Sequence, residues 1–121
     1  TFRFRRLPLR KRLNSMIETV TVCDEALAKD LEEIELTIFG TAWPNKTIRQ
    51  KINANEFKYW VYKKDQNIIA YLGIQFINDF IEVLGIGVIE NYRKNGFANE
   101  LMNELVNYFN SSSYNKILIY V

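Results

Sequence analysis

The sequence predicts an α/β domain in which a mixed β-sheet is flanked by helices, in the order β-α-α-β-β-β-α-β. Three observations carry this expectation. Five short segments are apolar or alternate apolar with polar residues, and turn residues bound them. Two longer segments repeat apolar residues at helical spacing. A strand, a helix and a second strand close the chain as a βαβ unit, so those two strands should be parallel with a right-handed crossover. At 121 residues and 48% hydrophobic content, the chain suits one domain with a real core.

The elements follow in order. Ile17 to Val22 (IETVTV) alternates and reads as the first strand. Asp24 suits the N-cap of a helix in which Leu27, Leu31, Ile34 and Ile38 recur. Lys29, Glu32, Glu33 and Glu35 read as that helix's solvated face, and Gly40 ends it. Trp43-Pro44-Asn45 forms a loop, with Asn45 read as the cap of a short helix from Lys46 to Ile52. Trp43 has two readings, a loop aromatic on the core edge, which is preferred, or a pocket wall.

Phe57 to Lys64 and Ile68 to Ile77 flank an Asp65-Gln66-Asn67 turn and form a hairpin. Asn78-Asp79 makes a second tight turn into the strand Phe80 to Val88. The helix from Gly96 to about Asn110, a polar Ser111-Ser112-Ser113 link and the strand Lys116 to Val121 complete the chain.

Composition removes several chemistries. There is no histidine and one cysteine, Cys23. That removes the commonest general base, the serine–histidine and cysteine–histidine mechanisms and an internal disulfide, and no metal site is expected. No apolar run is long enough for a membrane span, and no apolar segment follows the basic N-terminus as in a signal peptide, so a cytoplasmic location is expected. The net charge of +2 hides an asymmetry. Residues 1–15 hold six bases and no acid, and residues 16–121 then hold 10 bases against 14 acids. The chain reads as a basic arm, 1–15, before a mildly acidic domain, 16–121. The arm could contact nucleic-acid phosphates; the preferred reading is an extension outside the domain, with no nucleic-acid partner.

Chemistry concentrates in Phe80 to Phe109. Gly85 and Gly87 are costly inside a strand, since they lose more entropy and pack nothing. Alternation puts Leu84, Ile86 and Val88 on one face and Val83, Gly85 and Gly87 on the other. Either a bulge or a ligand lying flat on the glycine face accounts for them, or the glycines admit a neighbouring helix. Arg93-x-x-Gly96-x-Ala98 then opens the last helix. A tight loop feeding a helix N-terminus can bind an anion, because unpaired N–H groups and the positive dipole end converge there. The Rossmann and P-loop phosphate patterns are both absent.

This stretch resembles the acetyl-CoA motif of the GCN5-related N-acetyltransferases (GNAT). Arg93, Gly96 and Ala98, placed after the strand Val83 to Val88, carry the resemblance. From Met16 through Ala42-Trp43-Pro44 to Val121, the order and spacing are similar to bacterial ribosomal-protein-alanine N-acetyltransferases. The resemblance implies a pantetheine arm along Ile86, Gly87 and Val88, with Gly85 and Gly87 explained by its approach. It implies the pyrophosphate of acetyl-CoA on Lys94, Asn95, Gly96, Phe97, Ala98 and Asn99, with Arg93 also among the cofactor-binding residues. It implies a backbone N–H near Ile86 to Val88 polarising the thioester carbonyl, and direct attack by the amine.

The resemblance also sets expectations about what differs. The family's base, a glutamate on the last strand here, falls at Tyr120. The family's final helix and hairpin lie beyond Val121, so the expected fold lacks them, and a fragment, a short form or an oligomer whose partner chain completes the sheet are open readings. Glu82 is the first substitute base to test, with Glu90 and Tyr120 behind it. The implied activity is acetyl-CoA-dependent N-acetyl transfer to a protein N-terminal amine, such as that of a ribosomal protein. Acetylation of a small amine and a non-catalytic acyl-CoA-binding or regulatory module are the alternatives.

Overall fold

The computed structural model of the protein describes residues 15–120. The basic arm therefore falls, but for Ser15, outside the described residues. The elements are β1 (Ser15–Val20), α1 (Glu25–Phe39), α2 (Asn45–Asn53), β2 (Phe57–Lys64), β3 (Asn67–Ile77), β4 (Phe80–Val88), a 3-10 turn (Glu90–Tyr92), α3 (Phe97–Asn110) and β5 (Lys116–Leu118). They form one sheet in the order β1-β2-β3-β4-β5, antiparallel throughout except for the parallel β4–β5 pair. The predicted α/β architecture and the closing βαβ unit are both present.

Helices cover both faces of the sheet. Trp60, Tyr62, Leu72, Ile81, Leu101 and Leu105 pack between the sheet and α3. Leu31, Ile34, Ile48, Ile52, Tyr59 and Val61 pack between the sheet and the α1–α2 pair. A strand buried on both faces need not alternate, and Tyr59 to Tyr62 are all buried. Among the described residues no helix is long and apolar enough to cross a membrane.

Turn chemistry sets the meander. Asp65 and Gln66 both take positive φ, 51° and 68°, as a two-residue hairpin that matches strand twist requires. Asn78 does so too, at 51°. Asn115 then binds that second turn, its Nδ2 donating to Asp79 Oδ2 at 2.7 Å and its N–H to Asp79 O at 2.8 Å. This tie starts β5 beside the beginning of β4.

Four local expectations change. β1 runs Ser15–Val20, two residues earlier than its alternation suggested, because pairing with β2 from Ser15↔Lys64 to Val20↔Tyr59 sets its limits. β5 leaves the ladder after Leu118 instead of continuing to Val121. Asn45 is the first residue of α2 and not its cap; Pro44 precedes the helix, and the Asn45 N–H and Nδ2 donate to Glu32 at 2.9 and 3.1 Å. A carboxylate from α1 thus does what a capping side chain would do. Finally, Glu35 does not belong to a solvated face: it is 8% exposed and the only charged residue among the described ones that is buried.

Candidate active site

The site is built on β4. That strand pairs with β3 along its whole length but with β5 only from Phe80↔Lys116 to Glu82↔Leu118. From Val83 to Val88 its outer edge has no strand partner among the described residues. Apart from the Val88 carbonyl, which Arg93 Nε occupies, this edge has no strand beside it and suits a ligand that adds itself as a strand.

A bulge divides the same strand. The register steps from Gly73↔Gly85 to Ile74↔Val83, leaving Leu84 without a partner of its own. One extra residue reverses the alternation. Ile81 and Val83 therefore share the α3 face with Ile86 and Val88, while Leu84 packs toward α1. The faces expected from strict alternation are thus wrong on the N-terminal side of the bulge.

The bulge also decides what the glycines do. A Cβ on Gly85 would lie 2.7 Å from Tyr71 Oη, and one on Gly87 would lie 2.8 Å from Ile38 Cδ1 and 3.4 Å from Phe39 Cε2. Their open faces are filled by the protein's own side chains. The helix-packing reading accounts for Gly87, and a tyrosine of the adjacent strand accounts for Gly85. Cofactor approach is not needed to explain either.

Beside the bulge lies a cavity of about 530 Å3, walled by α1, the 41–44 loop, β4 from Val83 to Ile86, and Ile119 and Tyr120. Trp43 satisfies both of its readings, since it lines this cavity and its ring packs edge-on to Phe57 at 5.7 Å. Tyr120 contributes an exposed wall, whereas Glu82 is half-buried and not part of the lining.

One cavity residue was not read from the sequence as functional. Glu35 projects from α1 into the lining, and its Oε1 accepts a 2.9 Å hydrogen bond from Tyr59 Oη. Burial pushes its carboxyl above the ordinary carboxylate value, opposed by the Tyr59 hydroxyl and the Trp43 backbone N–H, with Glu32 pushing the same way as burial. Burial and Glu35 together raise Tyr71, and burial, first, with Glu35 raises Tyr59, so both phenols stay protonated at neutral pH. A signal did exist. Residue 35 lies four after Leu31 and three before Ile38, on the apolar stripe, where a charge is out of place.

The segment expected from the sequence to bind an anion lies past Val88. Arg93 Nε donates to Val88 O at 3.0 Å, so this guanidinium fastens the loop to the strand. Asn95 Nδ2 donates to Tyr92 O and Arg93 O at 3.0 and 3.2 Å. Lys94 is exposed at φ 66°, and Gly96, at φ 82°, precedes α3 without a side-chain cap. The Phe97 ring is buried, 4.3 Å from the Tyr62 ring centre, so only its backbone could face a ligand. Ala98 and Asn99 continue the first turn, whose N–H groups have no partner within the helix.

Cys23 is 2% exposed, its thiol pushed up to about 11 by burial and then by Asp24. It does not line the cavity, and a thiol in that state is a poor nucleophile.

The family model described as Acetyltransferase (GNAT) family matches residues 28–121. No curated protein matches the sequence. An aminoglycoside acetyltransferase from an uncultured soil metagenomic sample, solved in complex with trehalose, superposes with a TM-score of 0.78 at 13% identity, covering 90% of this chain and 78% of that one. A predicted acetyltransferase with acetyl-CoA from Clostridium acetobutylicum gives 0.71 at 17% identity, with 88% and 80% covered. A ribosomal-protein-alanine N-acetyltransferase from Brucella melitensis biovar Abortus 2308 gives 0.67 at 13% identity, with 87% and 78% covered. At these identities the likeness is one of fold.

Proposed function

The chain belongs to the GNAT acetyltransferase family, and on that premise we propose that it is an acetyl-CoA-dependent N-acetyltransferase acting on a protein N-terminal α-amine. The observation that carries the reading is the unpaired edge of β4. It runs from the cavity at Val83 to Ile86 toward the N-terminus of α3. A cosubstrate with a peptide-like arm and a pyrophosphate needs that combination: strand-edge hydrogen bonds, then convergent N–H donors.

Each part of the chain then has a task. Ile86, Gly87 and Val88 offer backbone groups to the pantetheine arm, and an N–H among them polarises the thioester carbonyl. Lys94, Asn95, Gly96, Phe97, Ala98 and Asn99 surround the pyrophosphate with backbone donors and one cation. Arg93 shapes their loop through Val88. The cavity walls exclude water and hold the amine. Holding two reactants in line supplies roughly 7–11 kcal/mol of a barrier, so positioning is the largest contribution available here.

Two acceptor classes have support. The family resemblance and the ribosomal-protein-alanine N-acetyltransferase neighbour support a protein N-terminus. The aminoglycoside acetyltransferase neighbour supports a small amine. Isothermal titration of the full chain with acetyl-CoA is expected to show binding, and a folded chain that binds none at high micromolar concentration overturns the proposal. A screen of coenzyme A release with an alanine-terminated peptide, spermidine and sisomicin separates the acceptors. Binding without release above the buffer rate would instead identify an acyl-CoA-binding module.

A further inference from the structure

Glu35 is a buried carboxyl with no cationic partner among the described residues. Among the residues lining the cavity it is the one acidic or basic side chain; the others are apolar, aromatic, hydroxyl-bearing or glycine. No ion pair of Glu35 occurs, since the ion pairs among the described residues are Lys29–Glu25, Lys51–Glu56 and Lys63–Glu18. A buried charge is normally paired. The titratable groups around this one are Tyr59 from β2, Tyr71 from β3 and Glu32 from its own helix, with the Tyr120 phenol across the cavity. None of them brings a positive charge.

The missing partner is therefore best supplied by what enters the cavity. Three aromatic residues of the lining, Phe39, Trp43 and Tyr71, also suit a cationic guest. The cavity also opens directly onto Gly85 and Ile86, the strand residues beside the proposed thioester.

We propose that the Glu35 carboxylate binds the acceptor's ammonium group and takes its proton, as the general base of acetyl transfer. This rests on the acetyltransferase reading given above. Glu35 accepts one proton and leaves a neutral amine. Its nitrogen lone pair forms the new C–N bond to the thioester carbon as the C–S bond breaks. The second nitrogen proton goes to the departing thiolate, giving amide and free thiol. Glu35 returns its proton to solvent through the cavity mouth. Tyr59 is a positioning residue, which aims Oε1 and keeps the carboxyl ionised over a wider pH range. Burial moves the carboxyl upward, toward the neutral range in which a general base works best.

The test uses the full chain with acetyl-CoA and the three acceptors named above. Glu35→Gln is expected to lower kcat/KM about 10²–10⁴-fold, to remove the acidic limb of the kcat/KM–pH profile, and to leave acetyl-CoA affinity within twofold of wild type. Tyr59→Phe keeps the ring and is expected to move the acidic limb to higher pH. A residue that merely clamped the 41–44 loop through Trp43 would lower the rate equally at every pH. Glu35→Gln with wild-type rate and limb overturns the proposal. If Glu35→Gln does not fold, an unmoved limb in Tyr59→Phe overturns it. Absence of turnover by a wild-type chain that binds acetyl-CoA overturns it too, whereas absence of acetyl-CoA binding defeats the acetyltransferase reading itself.

Discussion

Tyr59 Oη donates to Glu35 Oε1 at 2.9 Å, joining the central sheet to α1 across the buried layer between them. The bond has consequences for stability as well as for chemistry. Burial raises the Glu35 carboxyl in the folded state, while the unfolded chain keeps the ordinary value, about 4.3. Between those two values the folded protein binds more protons than the unfolded one. Stability from this residue is therefore present at low pH and is lost as pH rises through the window. Wild type should gain on Glu35→Gln, which cannot titrate, when pH is lowered from 8 to 4. Urea unfolding of both proteins at the two pH values checks this, and a gap that stays constant or moves the other way contradicts it.

Tyr59 and Tyr71 stack at 6.1 Å yet differ in what their hydroxyls do. Tyr59 satisfies a buried carboxylate; Tyr71 forms no hydrogen bond among the described residues and rests over Gly85. Tyr59→Phe should cost about 1–3 kcal/mol, because it strips a charged acceptor of a donor. Tyr71→Phe should fall within about 1 kcal/mol of wild type, since it removes an unpartnered buried hydroxyl. Denaturant midpoints at pH 8 order the two, and equal losses would refute the assignment.

Gly87 is held to glycine by α1. Gly87→Ala places a methyl 2.8 Å from Ile38 Cδ1, and overpacking of this kind costs typically 1–3 kcal/mol. Ile38→Val shortens the offending side chain by that methyl and should recover part of the loss. A double-mutant cycle measures the coupling. Additive effects would mean that Gly87 is required by something other than Ile38.

Gly96 sits at φ 82°, where a Cβ is strained. Gly96→Ala should cost about 1–2 kcal/mol and should weaken acetyl-CoA binding about 10-fold by tilting the first turn of α3, about 1.4 kcal/mol of affinity. Calorimetric titration and thermal unfolding read the two effects separately. Unchanged affinity in a destabilised variant would remove this turn from the binding site.

Cys23 should stay unmodified by thiol reagents in the native state and react on unfolding, since it is buried and its thiol is pushed up to about 11. Cys23→Ala should keep kcat within twofold, because direct transfer needs no acylated cysteine. Loss of turnover in a folded Cys23→Ala protein would demand a covalent step.

Local patterns in the sequence determined most of the architecture. Alternation located β2 and β4 to the residue, helical spacing located α1 and α3, and the left-handed turns at Asp65-Gln66 and Asn78 followed from residue chemistry. The Arg93-to-Ala98 segment marked the N-terminus of α3. These features depend on chain geometry within a few residues, which is why they are legible in a single sequence.

Only the tertiary structure decided the rest. The step at Leu84 comes from matching β4 to β3, and a bulge of one residue leaves no mark in the composition of either strand. Whether Gly85 and Gly87 faced a ligand or the protein depended on Tyr71 and Ile38, which approach from a neighbouring strand and from α1. Glu35 looked like one more charge on a helix. Its burial is set by Tyr59, 24 residues away in sequence, and by the loop that folds over it. A carboxylate becomes chemically useful through desolvation and unpaired charge, and both are properties of the assembled fold.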